Sequence, residues 1–189
     1  MFLKLTRLKK DIKEKLYRFW YRLAYKIETV DIAEFFSEEE LSIYHHISIT
    51  LRLLYINSYF KGENEGIRDY LIAQRNFTNY IKRKYDEERD VNNFNNLIKS
   101  FLLNGYKSDY PIYVDLNGQI INGAHRVALC IYFGINKINI IRISKRVELP
   151  SVDECFFIFS CDGLEGKLRK IYKDIIHGEY AKFNHANSN

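Results

Sequence analysis

Apolar positions along the chain switch between helical steps of three and four and strict alternation, and the switches predict the elements. Leu5, Leu8, Ile12, Leu16, Phe19, Leu23 and Ile27 form a helical stripe, widened by Tyr17, Trp20, Tyr21 and Tyr25. An acidic turn region runs from Glu28 to Glu40. In it Ser37, followed by Glu38, Glu39 and Glu40, reads as a helix N-cap and first turn. The apolar run Leu41 to Phe60 continues that helix, and residues 61–66 form a loop. A further helix is expected over Ile67 to Tyr85, burying Ile67, Tyr70, Leu71, Phe77, Tyr80 and Ile81. Asp86 to Asp90 reads as a polar connection, after which Phe94, Leu97, Ile98, Phe101 and Leu102 mark a helix ending near Asn104-Gly105.

The period then changes. Ile112 and Val114 alternate with Tyr113 and Asp115, Asn117-Gly118 is a hairpin turn signal, and Gln119 to Ile121 reads as the returning strand. Asp115 fits a turn role. Asn122-Gly123 breaks the strand, and Val127, Ala128, Leu129, Ile131, Tyr132 and Phe133 have the density of a mostly buried helix that Gly134 ends. Ile138, Ile140, Ile141 and Ile143 make a third, β-branched strand. Val147 to Pro150 connects to a short buried strand or helix edge at Cys155 to Phe159. Leu164 to Ile176 is a last amphipathic helix, capped near Gly178. The resulting expectation is a basic helical arm over residues 1–30, one α+β domain over 31–180 and a flexible tail over 181–189.

Charge sharpens this division. Residues 1–26 hold nine Lys or Arg against Asp11 and Glu14, a surplus of +7; the formal net charge is +5, so the other residues sum to −2. The basic character is local to the arm, which argues against nucleic acid binding by the main domain. A basic stripe with Trp and Tyr fits packing on the protein's own core, packing on a second subunit in a homodimer, or an anionic membrane surface, with nucleic-acid contact by the arm ranked after these. Three cysteines without paired spacing, Cys130, Cys155 and Cys161, indicate neither a disulfide framework nor a zinc site. The same cysteine pattern makes cytoplasmic localisation the default expectation, on the inner face of a membrane if the arm lies there, and no apolar run approaches the roughly 20 residues of a spanning helix.

The candidate chemistry sits at Asn122, Gly123, Ala124, His125 and Arg126. The first N–H groups of a helix lack intrahelical partners and lie at its positive end, which favours an anion. Gly123 allows close backbone approach, Arg126 offers a planar fork of donors, and His125 supplies a donor or a base. The plainer reading pairs Arg126 with a surface carboxylate and leaves His125 solvated. Arg68, Arg75, Lys82, Arg83 and Lys84 either border a ligand cleft or are solvated. His45 and His46 are adjacent, about 100° apart on a helix, and so make no metal pair.

The stretch from about Asn92 to Ile143, with its helix, Pro-Ile-Tyr-Val, hairpin and Gly-Ala-His-Arg opening a helix, resembles the ParB/sulfiredoxin superfamily. The resemblance implies a small mixed β-sheet with surrounding helices and a nucleotide site, with Gly123, His125 and Arg126 at the positions that touch phosphates. The Gly-x-His-Arg form is similar to that of sulfiredoxin and of the free-serine kinases. Sulfiredoxin carries a cysteine where this chain has Ala124, which makes sulfinic-acid repair improbable. ParB proper carries Gly-Glu-Arg-Arg, and its glutamate is missing here. The kinase-like branch places a catalytic carboxylate before the helix that precedes Pro-Ile-x-Val, where this chain has Tyr85-Asp86-Glu87-Glu88-Arg89-Asp90.

Two functions follow from the resemblance. The first is transfer of a phosphoryl group from ATP, ADP or CTP, with Mg²⁺, to a small hydroxylated acceptor. Residues 122–126 would hold the phosphates, and His125 with Glu87 or Glu88 would serve catalysis. A membrane-lying arm would bring in acceptors from envelope-glycan or lipid-head-group metabolism. The second is a ParB-like, nucleotide-gated or DNA-associated binding protein without transferase activity, against which stands the absence of a helix-turn-helix pattern after Ile143.

Overall fold

The computed structural model describes residues 26–36, 46–144 and 163–180. Its elements are β1 (Ile27–Asp31), a short 3₁₀ turn (Ile32–Phe35), α1 (Ile47–Lys61), α2 (Glu65–Tyr80), α3 (Glu87–Asn104), β2 (Ile112–Val114), β3 (Ile120–Asn122), α4 (Ala124–Tyr132), β4 (Lys137–Arg142) and α5 (Leu164–Ile176). Among the described residues the architecture is mixed α+β, five helices with one four-stranded sheet ordered β1-β4-β2-β3.

The hairpin β2–β3 is antiparallel, with the turn drawn tight by Asp115. Its carboxylate accepts the amides of Asn117 at 2.8 Å and Gln119 at 2.9 Å, the turn role expected of it. α4 then carries the chain back so that β4 lies parallel to β2, pairing Ile112 with Ile140 and Val114 with Arg142. Ile112, Val114, Ile138 and Ile140 are fully buried, which holds the register, since a one-residue slip would turn them outward.

β1 corrects the expected arm boundary. Residues 27–31, placed at the end of a helix and the start of a turn, form an antiparallel edge strand on β4. Thr29 donates to its register partner Asn139 at 2.9 Å, Arg142 pairs with Glu28 at 3.1 Å, and Val30 enters the core. Ile27 had fitted the helical stripe by spacing alone, and pairing with a strand 110 residues away in sequence overrides that local preference. Asp31 and Glu34 make a capping box on the 3₁₀ turn, so both acids serve backbone amides. The remaining arm, the helix start at Ser37, the segment Val147 to Phe159 and the tail lie outside the described residues.

α1 is the central helix, packed against α2, α4 and α5. Ile49, Leu51, Leu53, Tyr55 and Ile56 are all fully buried, so it hides more than one stripe. α2 crosses it at close range because Gly66 has no side chain. A Cβ there would lie 2.6 Å from Leu54 O and 2.6 Å from Ser58 Oγ, and the Gly66 amide donates to that hydroxyl at 3.0 Å. The loop expected over 61–66 is therefore shorter, ending where α2 begins at Glu65.

α3 starts earlier than its apolar spacing indicates. Asp86 is its N-cap, accepting the Arg89 amide at 3.0 Å, so residues 87–90 are the first helical turn and not a connection. Asp90, Phe94, Ile98 and Phe101 consequently share one face. Four helices contribute rings to one cluster at that face. Tyr55 of α1 stacks on Phe94 of α3 at 4.5 Å, Tyr70 of α2 meets Tyr55 edge-on at 5.2 Å, and His125 of α4 meets Phe94 edge-on at 4.4 Å.

Candidate functional site

The corner where β3 becomes α4 depends on Gly123. Its φ of +104° is left-handed, and a Cβ would lie 2.9 Å from Ile112 Cγ1 and 3.0 Å from Arg126 Nη2. The missing side chain is therefore what lets the Arg126 guanidinium lie against the start of α4. The carbonyl of Gly123 accepts the amides of Arg126 at 2.8 Å and Val127 at 3.0 Å, and no side chain caps the helix start. The earlier amides of the turn, those of Ala124 and His125, have no helical carbonyl to reach. Nη1 of Arg126 donates to the carbonyls of Tyr110 and Pro111, fixing the guanidinium in place. The half-buried guanidinium is thus tied to the main chain just ahead of β2.

His125 points into the aromatic cluster. Its Nε2 lies 3.2 Å from the hydroxyl of Tyr70, which donates to Asp90 Oδ2 at 3.1 Å; Tyr85 donates to the same oxygen at 3.1 Å. Burial, reinforced by the guanidinium charges of Arg52 and Arg126, holds the His125 pKa well below the ordinary histidine value. The imidazole is thus neutral near pH 7. Burial, and then the Asp90 charge and hydrogen bond, raise Tyr85, while burial leads the rise at Tyr70. Both phenols keep their protons, so each can donate to Asp90.

The acids expected to serve catalysis are placed differently. Glu87 pairs with Arg75 at 2.5 Å near the surface, and Glu88 is exposed on the first turn of α3. The structure brings neither of them to His125 by any hydrogen bond it shows; Asp90 is the carboxylate linked to it, through Tyr70. Arg52 joins the same neighbourhood. Its guanidinium lies 5.8 Å from the centre of the Tyr70 ring, Nη1 donates to Ser48 O at 2.6 Å, and the buried Nε has no hydrogen-bond partner. Spacing along α3 was the available signal for Asp90, four residues before Phe94 on the inward face. Arg52 and Tyr70 had no comparable signal for a site role.

His46 is a buried residue at the start of α1 with its ring 4.8 Å from Phe36, while His45 lies outside the described residues. Cys130 is buried in α4, and burial pushes its thiol up to about 12, as suits a core residue. Among the described residues no three His, Cys, Asp or Glu side chains gather into a metal-holding group. Asp90 accepts both phenols on Oδ2. Among those residues no helix is long and apolar enough to cross a membrane. No protein-family model matches the chain, and comparison with curated proteins and with solved structures likewise finds no match.

Proposed function

We propose that residues 122–126 bind the phosphates of a nucleoside di- or triphosphate, in a ParB/sulfiredoxin-like fold, for phosphoryl transfer to a small hydroxylated acceptor. One observation carries the reading: at Gly123, where no side chain caps the start of α4, Nη2 of Arg126 lies 3.0 Å from where a Cβ would stand, so the guanidinium sits beside the uncapped helix start. Amides at a helix start and a preorganised guanidinium are complementary to phosphate oxygens. Asp90, linked to His125 through Tyr70, takes the place in this proposal that the resemblance gave to Glu87 or Glu88.

Calorimetric titration with ATP, ADP and CTP tests the reading, followed by mass spectrometry of a pool of small hydroxylated compounds incubated with protein and nucleotide. Binding that weakens at least tenfold in Arg126→Lys, together with a phosphorylated product, is the expected result. Binding without any product assigns the nucleotide-gated alternative. Absence of binding by all three nucleotides overturns both.

A further inference from the structure

The polar chain behind His125 does more than fill a gap in the core. Tyr70 has one proton and gives it to Asp90, so its oxygen is an acceptor toward His125. Nε2 must then carry the imidazole proton. In a neutral ring this leaves the lone pair on Nδ1, the nitrogen nearer the backbone at the start of α4. The opposite tautomer would set the Nε2 lone pair against the phenol oxygen.

We propose that Asp90 and Tyr70 are positioning residues that lock His125 as the Nε2–H tautomer and so present Nδ1 as the proton acceptor beside residues 122–126. This rests on the phosphoryl-transfer reading. There Nδ1 takes the proton of the acceptor hydroxyl as its oxygen bonds to the terminal phosphorus and the bond to the departing nucleotide breaks. Charge arriving on the ring is met through Tyr70 by the Asp90 carboxylate, as a third group steadies the base in other nucleophile and base pairs. The groups facing this chain are Arg52 and Tyr55 from α1, Tyr70 from α2, Tyr85 from the connection before α3, Asp90 and, toward Tyr85, Glu87 from α3, and Arg126 from α4. Of the two acids, Asp90 is the one hydrogen-bonded to Tyr70 and Tyr85. The Tyr85 hydroxyl shares its oxygen, which keeps the carboxylate in place when Tyr70 is altered.

Two-bond ¹⁵N–¹H correlation spectra of histidine-labelled full-length protein report the tautomer directly. The chain has five histidines, and a His125→Gln sample identifies the signal. The folded protein is expected to show the neutral Nε2–H form between pH 6.5 and 8. In Tyr70→Phe and in Asp90→Asn the Nδ1–H population is expected to rise about fivefold, the bias one neutral hydrogen bond sustains. A predominant Nδ1–H form in the unaltered protein overturns the proposal, and this outcome needs no variant to fold. So does an unchanged tautomer in both variants. The spectra are recorded without nucleotide, so failure of nucleotide binding leaves this result standing, and loss of the tautomer bias leaves nucleotide binding to be judged on its own titration.

Discussion

Phe94 on α3 and His125 on α4 meet edge to face with ring centroids 4.4 Å apart. This contact keeps water from the imidazole on one side, while Tyr70 supplies its polar partner on another. Replacing Phe94 by Ala removes a fully packed ring that also stacks on Tyr55, and is expected to cost about 3–5 kcal/mol. Phe94→Leu should keep most of that stability. In it the His125 pKa should move up toward its ordinary value, because burial is the leading cause of its depression. Urea unfolding and histidine NMR titration measure the two effects separately.

The depressed pKa also sets a pH dependence. An unfolded histidine takes up its proton near pH 6.5, whereas folded His125 resists until well below that. Between those limits the unfolded chain binds more protons, so the stability this residue contributes is present above about pH 6.5 and is lost as pH falls toward the folded pKa. The limiting slope is about 1.4 kcal/mol per pH unit. Urea midpoints from pH 7 to pH 5 should fall more steeply for the natural chain than for His125→Gln; parallel curves would remove His125 as the cause.

Gly66 and Gly123 should both resist alanine, for different reasons. At Gly66 the new methyl meets the Leu54 carbonyl at 2.6 Å, a backbone atom that yields only if α1 and α2 separate. A loss of about 1–3 kcal/mol is expected, with nucleotide titrations unaffected. At Gly123 the methyl meets Ile112 and the Arg126 guanidinium on a left-handed backbone, so a similar loss should come with weakened nucleotide binding. Thermal unfolding and calorimetry of the two variants separate packing from site.

Asp115 should behave as a turn residue and not as a catalytic acid. It is fully buried and accepts two backbone amides of the hairpin. Asp115→Ala orphans both and is expected to cost about 1–3 kcal/mol, while Asp115→Asn retains an acceptor and costs less. Nucleotide titration of Asp115→Asn should match the unaltered protein.

Local signals read well where the chain's own neighbours decide its path. Asn117-Gly118 marked the hairpin, Gly123 and Gly134 bracketed the helix between them, and Leu164 to Ile176 was found with the boundaries the structure has. These are turns and periodicities, set by backbone sterics and by the burial of one face within a few residues. The start of α3 was missed because five polar residues masked a helical turn that Asp86 caps.

The sequence by itself determined the α+β composition, the order of hairpin, helix and strand, and the glycine-led corner that opens α4. Only the tertiary structure decided that residues 27–31 are an edge strand, that Asp90 is linked to His125 through Tyr70, and that Arg52 stands over the Tyr70 ring. The reason is one of range. A turn or a helical face is specified by neighbours in the chain, whereas a strand's partner and an imidazole's proton depend on groups that meet only when α1, α2, α3 and α4 pack together.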